Sequence, residues 1–268
     1  MPIPFCPGYA HEPFRSLVES YPDTTLYPAD AFRVEWGPIF HRGRLDGTAR
    51  ILVLGQDPAQ HETIARRILM GTAGRRVQGF LNKLGIDSSY VMINAFLYCV
   101  YGKGGARHVG DAGIVAYRNQ WIGAILDASQ ITAVVAFGTL ADKAWKMWLA
   151  SPGAAGRSAV AYRKLPHPTS PESAGDDVAA ATETMLEAYN AGLAALTPAL
   201  APADNPRPLV PYGSAFTPAD LPGIPQQDLP AGSPLWMGTT TGWAVRDGAT
   251  VIEKRLNIRV TALASADP

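Results

Sequence analysis

The chain predicts an α/β fold in three layers, α/β/α, built around a central four-stranded, mainly parallel sheet. Three observations lead there. Between residues 50 and 196, short β-branched runs alternate with longer helical ones, the pattern that a parallel sheet with right-handed crossovers produces. Most of the short runs are apolar almost without interruption, as strands covered on both faces are. Gly71, Gly74, Gly85 and Gly138 stand between the runs, where the chain must turn.

Taken in order, residues 1–49 are aromatic and proline-rich, with a short helix expected near 13–20 in a segment packed on the core. Strands are expected at 50–55, 90–94, 131–137 and 159–164. Helices are expected at 61–70, 77–84, 112–128 and 138–150, with a long alanine-rich one at 173–196. These elements make residues 50–196 the α/β domain. The stretch 197–234 holds ten prolines, so an extended path over the surface is expected. Residues 235–268 predict a hairpin turning at Asp247-Gly248 and packed on the same domain.

Composition narrows the function classes. The 268 residues balance 23 basic against 23 acidic side chains, with 47% apolar and 17% charged. That favours a well-buried core over disorder and argues against a binder driven by total positive charge. A local patch is still open: between Arg66 and Arg118 eight Lys or Arg stand against Asp87 and Asp111. Two cysteines, Cys6 and Cys99, are too few for a disulfide framework or a four-cysteine metal site. No apolar run approaches a membrane span, and MPIPFCPGYAHEPF lacks the basic start and apolar stretch of a secretory signal. A cytoplasmic monomer, off the membrane and without a cofactor, is expected.

Ligands of open parallel sheets bind beyond the carboxyl ends of the strands. All four predicted strand ends carry polar or glycine-containing turns: Gly55-Gln-Asp-Pro58, Asn94-Ala-Phe96, Gly138-Thr-Leu-Ala141 and His167-Pro-Thr-Ser-Pro171. Asp57 is either a helix cap or a functional carboxylate. Asn94 ends an apolar strand, so its amide needs a partner, from the backbone or from a ligand. His167, between two prolines, is held out of any helix interior and is either structural or functional. An acid, an amide and an imidazole at three strand ends suit recognition and attack of a small polar heterocycle.

These residues resemble the uracil-DNA glycosylase superfamily. Gly55-Gln-Asp-Pro58 matches its first motif, and Val91-Met-Ile-Asn94 resembles the strand ending in the uracil-reading asparagine. Ala136-Phe-Gly-Thr-Leu-Ala141 resembles the Gly-Ser phosphate loop, and His167-Pro-Thr-Ser-Pro171 the His-Pro-Ser-Pro motif. The likeness covers about 50–175, in family order. It implies a monofunctional DNA glycosylase that flips uracil out of DNA, hydrolyses its N-glycosidic bond and leaves an abasic site for base-excision repair. Asp57 would stabilise the sugar cation and orient water, His167 would donate to uracil O2, Asn94 would read O4 and N3–H, and the Gln56 backbone would help hold the base. Gly138, Thr139, Lys143, Thr169, Ser170, Arg75 and Arg76 would grip the DNA.

Departures from the family pattern carry expectations of their own. Ala59 replaces the methyl-excluding tyrosine, leaving either a tolerant pocket or one filled by Gln60, His61 or Met70. The stretch from Leu69 through Gly71-Thr-Ala-Gly74 resembles the iron–sulfur branch, but two cysteines cannot hold that cluster, so the resemblance is to a branch without metal. Leu69 stands where that branch stacks a phenylalanine on uracil, which leaves Phe80 and Phe96 as candidate rings. Glu172-Ser-Ala-Gly175 follows the histidine motif where a wedge leucine is usual. The alternative reading is a protein that binds uracil-containing or abasic DNA with little turnover.

Overall fold

A computed structural model describes residues 8–102 and 104–262; Cys6 and Lys103 lie outside them. After a short helix α1 (Phe14–Glu19) the chain enters strand β1 (His41–Gly43), then β2 (Ile51–Gly55), α2 (Gln60–Ala65), α3 (Gly71–Lys83) and β3 (Tyr90–Asn94). Helix α4 (Ala112–Ala128), β4 (Ala133–Phe137), α5 (Thr139–Leu149), β5 (Ala161–Leu165) and α6 (Val178–Leu196) complete the alternation.

The sheet has five strands, not four, in the order β1-β3-β2-β4-β5. β2, β3, β4 and β5 are parallel, and β1 adds an antiparallel edge, with His41 opposite Ile93. The extra strand carries His-Arg-Gly, which has no apolar alternation to announce it. It is buried because Arg42 and Arg44 turn inward to Asp228, 3.8 and 3.3 Å away.

Alternation along the central strands divides the core in two. Leu52, Leu54, Val91, Ile93 and Val134 face Ile114, Ile122 and Trp145 of α4 and α5. Ile51, Val53, Met92 and Val135 face Val77, Phe80, Leu186 and Tyr189 of α3 and α6. The outcome is the three-layer architecture expected. Chain connections leave β2 toward β3 and β4 toward β5, in opposite directions, so the carboxyl ends of β2 and β4 form the topological switch point.

Three helix boundaries differ from expectation. α2 stops at Ala65 because Arg66 and Leu69 take left-handed backbone, φ 54° and 53°. α3 begins at Gly71, six residues before the predicted start. Its glycines permit close approach rather than break the helix: a Cβ on Gly74 would lie 1.6 Å from the carbonyl oxygen of Leu69. α6 begins at Val178, after two 3-10 turns.

The proline-rich stretch contains only 3-10 turns, yet it is not confined to the surface. It buries Tyr212, Ile224, Asp228 and Leu229, and the Asp204 carboxylate accepts the N–H groups of Asp87, Ser88 and Ser89 at 2.8–3.0 Å. Beyond it lie α7 (Trp236–Thr239), β6 (Ala244–Arg246), α8 (Val251–Leu256) and β7 (Ile258–Val260). β6 and β7 pair antiparallel, but the expected hairpin at Asp247-Gly248 is corrected: a helix connects the strands. Thr250 and Glu253 cap that helix reciprocally, which overrides the β preference of Val251 and Ile252.

Candidate active site

At the switch point β2 delivers Gln56 and Asp57, β3 delivers Asn94, β4 delivers Gly138, and β5 delivers His167. A cleft of about 450 Å³ is lined by Gln56, Gly138, Thr139, Lys164, His167 and Ser170, among others. The Gln56 side chain lies across the start of α5, where its Oε1 accepts from the Leu140 N–H at 3.2 Å. Gly138 makes room for it. Its φ is 94°, and a Cβ there would stand 2.8 Å from Gln56 Oε1.

His167 is half-buried, and burial lowers its pKa below the usual histidine range. Its Nδ1 accepts from the Thr169 N–H at 3.3 Å, with the Thr169 hydroxyl at 3.1 Å. A backbone N–H only donates, so Nδ1 is the acceptor and the neutral ring carries its proton on Nε2. Nε2 has no protein partner among the described residues.

Asp57 sits on the β2 side, its Oδ2 accepting from the Val100 N–H at 3.1 Å. Burial pushes its carboxyl up to about 6, against the Val100 hydrogen bond and the Arg33 guanidinium, which pull it down. Next to it stands Glu62, which no sequence motif announces. This buried carboxylate accepts from the Ala59 N–H at 3.0 Å and the Met70 N–H at 2.8 Å, tying both ends of the α2 region together. Burial pushes Glu62 up to about 7. A capping-box glutamate three residues after position 59 was visible in the sequence, but alanine at 59 hid the signal.

Asn94 is 9% exposed and its Oδ1 has no hydrogen-bond partner among the described residues. It lies against Gly55, where a Cβ would come within 2.2 Å of Oδ1 and 3.7 Å of Leu69 Cδ1. Glycine at 55 therefore leaves room for the Asn94 amide against the end of β2. Leu69 holds left-handed backbone, a conformation that costs about 1–3 kcal/mol for a side-chain-bearing residue.

The candidate rings take different places. Phe80 is fully buried against Phe137 and Tyr189, with centroids 5.7 and 5.5 Å away. Phe96 is fully buried against Phe32 at 5.2 Å. Phe80 shares its core cluster with Leu69, which is 7% exposed, whereas Phe96 lines the same small cavity as Asn94. Of the residues around Ala59, Gln60 is half-buried and Met70 is buried under Trp243 and Ile224. His61 packs edge-on against Trp243 at 4.8 Å.

The expected DNA contacts divide. Thr139 and Ser170 line the cleft, Lys143 follows one turn further along α5, and all three are exposed. Thr169 is occupied in holding His167. The Gly138 N–H is also engaged, donating to Leu165 O at 2.8 Å, so it is corrected as a phosphate donor. Arg75 and Arg76 are corrected too. Arg75 binds the carbonyls of Leu221 and Pro222, while Arg76 pairs with Glu172 at 2.7 Å and donates to Pro168 O at 2.5 Å. Lys164, which lines the cleft, was missed because edge-strand lysines are common.

A family model described as the uracil DNA glycosylase superfamily matches residues 42–217. The chain belongs to this superfamily. The match runs from Arg42 within β1 into the proline-rich stretch and includes β2, β3, β4 and β5 of the main sheet. Superfamily membership supports a DNA glycosylase-type function, a hydrolase of DNA repair that acts on DNA. A comparison with curated proteins finds no match. No helix among the described residues is long and apolar enough to cross a membrane.

Proposed function

We propose that this chain is a monofunctional uracil-DNA glycosylase. The observation that carries the reading is the neutral His167, which lines the cleft and is fixed by Thr169 so that Nε2–H is left as a free donor. Breaking an N-glycosidic bond leaves negative charge on the departing uracil, and a pre-placed donor at O2 stabilises that charge as it develops. A neutral donor serves best here, because it does not protonate the base in the ground state.

The remaining roles follow from the same geometry. Asp57, with a pKa of about 6, is mostly ionised at neutral pH and opposes the positive charge that develops on the sugar. The buried, unpartnered Asn94 Oδ1 is an acceptor awaiting a donor, and uracil N3–H is one. Cytosine presents a bare N3 there and would leave the acceptor unsatisfied, at a cost of about 1–3 kcal/mol. Leu69 beside Asn94 offers an apolar face to the flipped base. Thr139, Lys143, Lys164 and Ser170 flank the path of the backbone phosphates.

The test is base release from a uracil-containing oligonucleotide under single turnover, with thymine- and cytosine-containing controls. Release of uracil alone, with no cross-link to protein after borohydride treatment, is the expected result. Tight binding without release, unchanged in Asp57→Asn, would instead make the site a damage-recognition pocket.

A further inference from the structure

Arg33 precedes a 3-10 turn (Val34–Trp36) in the N-terminal segment and is only 6% exposed. A buried cation normally meets a carboxylate, because an unpaired charge away from water is costly. The contacts of Arg33 are instead neutral. Nη1 donates to the Val100 carbonyl and lies 3.5 Å from Cys99 Sγ, and the rings of Trp36 and Tyr101 each stand 5.0 Å from the guanidinium carbon. Nε has no acceptor among the described residues. The negative charge that Arg33 acts on is one peptide away: Val100, whose carbonyl it holds, gives its N–H to Asp57.

The same stack extends to the C-terminal segment. Arg255 of α8 covers Tyr101, with its guanidinium carbon 4.5 Å from the ring, and binds Glu35 at 2.9 Å and the carbonyls of Ala29 and Phe32. Arg255 lies beyond the residues that the family model matches. The other groups facing Asp57 oppose Arg33 or are neutral. Glu62 of α2 and Asp57 repel one another, and burial pushes the Cys99 thiol up to about 12, so it carries no charge near neutrality. Arg246 of β6 acts on Cys99 from the outside.

We propose that Arg33 is a positioning residue for Asp57. It anchors the Val100 peptide that holds the carboxylate and supplies the positive charge that favours its ionised form, and Arg255 braces the arrangement through Tyr101. The proposal rests on the reading of Asp57 as the sugar-facing carboxylate.

Two readouts on the full chain test it: a carbon-13 NMR titration of the Asp57 carboxyl in the free protein, and the pH dependence of single-turnover uracil release. Wild type is compared with Arg33→Gln, Arg33→Lys and Arg255→Gln. In Arg33→Gln the Asp57 midpoint and the acid limb of the rate should rise together by about one pH unit, the scale of losing one nearby opposite charge. Arg33→Lys should keep the midpoint near wild type but lose rate on the plateau, since an ammonium cannot fill the planar stack. Arg255→Gln should move the midpoint the same way by less. An unmoved midpoint in Arg33→Gln overturns the proposal, as does an equal rise in Arg33→Lys. If Arg33→Gln does not fold, Arg255→Gln decides, its side chain being 16% exposed, and an unmoved midpoint there overturns the proposal. If wild type releases no uracil at any pH, the proposed reaction fails while the titration still judges Arg33.

Discussion

The arginines of the α2–α3 region and the α5 side of the cleft are both rich in hydrogen-bond donors, and the fold uses them in opposite ways. Arg66 binds the carbonyls of Trp36 and Pro38, Arg67 that of Asp228, Arg75 those of Leu221 and Pro222, and Arg76 that of Pro168. These cations fasten the flanking segments to the core. Beside the cleft, Lys143 of α5 makes no ion pair and the His167 Nε2–H has no partner among the described residues, while Gln56 takes only the Leu140 N–H of that helix's first turn. A cluster of charges in sequence therefore says little about recognition until the carbonyls that compete for those charges are placed. The group that remains available is a lysine with no carbonyl to bind.

Four expectations test that contrast, and the largest concerns chemistry. His167→Ala should lower single-turnover uracil release by about 10²–10³-fold, the usual cost of one pre-placed donor, with little change in melting temperature. A parallel fall in thermal stability would mean that His167 belongs with the fastening groups instead. Next is pH. Because the Asp57 pKa is raised to about 6, the carboxylate is present above that pH and is lost below it. The rate should therefore drop about tenfold per unit below pH 6. Burial lowers the His167 pKa, which keeps the ring neutral at pH 7. A flat profile down to pH 5 would remove Asp57 from the rate-determining step.

Arg76→Ala should act mainly on stability. It removes the ion pair to Glu172, the bond to Pro168 and the contact with the Phe216 ring, 4.6 Å from the guanidinium carbon. Losing charged hydrogen bonds of this kind costs about 1.5–3 kcal/mol, readable in a denaturant titration, while the salt dependence of DNA binding should not change. The smallest effect is expected at the other pole. Lys143→Ala and Lys164→Ala should each reduce the slope of log affinity against log salt by about 0.7–0.9, at unchanged stability. If Arg76→Ala altered that slope and Lys143→Ala did not, the contrast would be reversed.

Much of this was legible in sequence for identifiable reasons. Ile51 to Leu54, Val91 to Ile93 and Val134 to Ala136 are buried on both faces, and continuous apolar runs announce such strands. The helix at 112–128 had clear limits and was found at them. Asp57, Asn94 and His167 were legible as candidates because strand ends of a parallel sheet are where ligands bind, and four motifs stood at four ends in order. β1 was missed because its burial depends on Asp228, 186 residues after Arg42 in the chain. That Phe80 packs in the core was not legible, because an aromatic side chain has the same sequence signature in a core as in a pocket. Gly138 was misjudged because nothing local shows its N–H donating to Leu165.

The sequence by itself determined the α/β alternation, the polarity of the strand ends and the chemical types gathered there. Those properties follow from local periodicity and from which side chains accept, donate or ionise. Only the tertiary structure decided which donors remain free, which tautomer His167 holds, how far the Asp57 pKa rises and that Arg33 binds the Val100 carbonyl whose own N–H holds Asp57. Each of these depends on burial and on partners distant in the chain. Desolvation and hydrogen bonding act through space, and the order of residues alone does not specify that space.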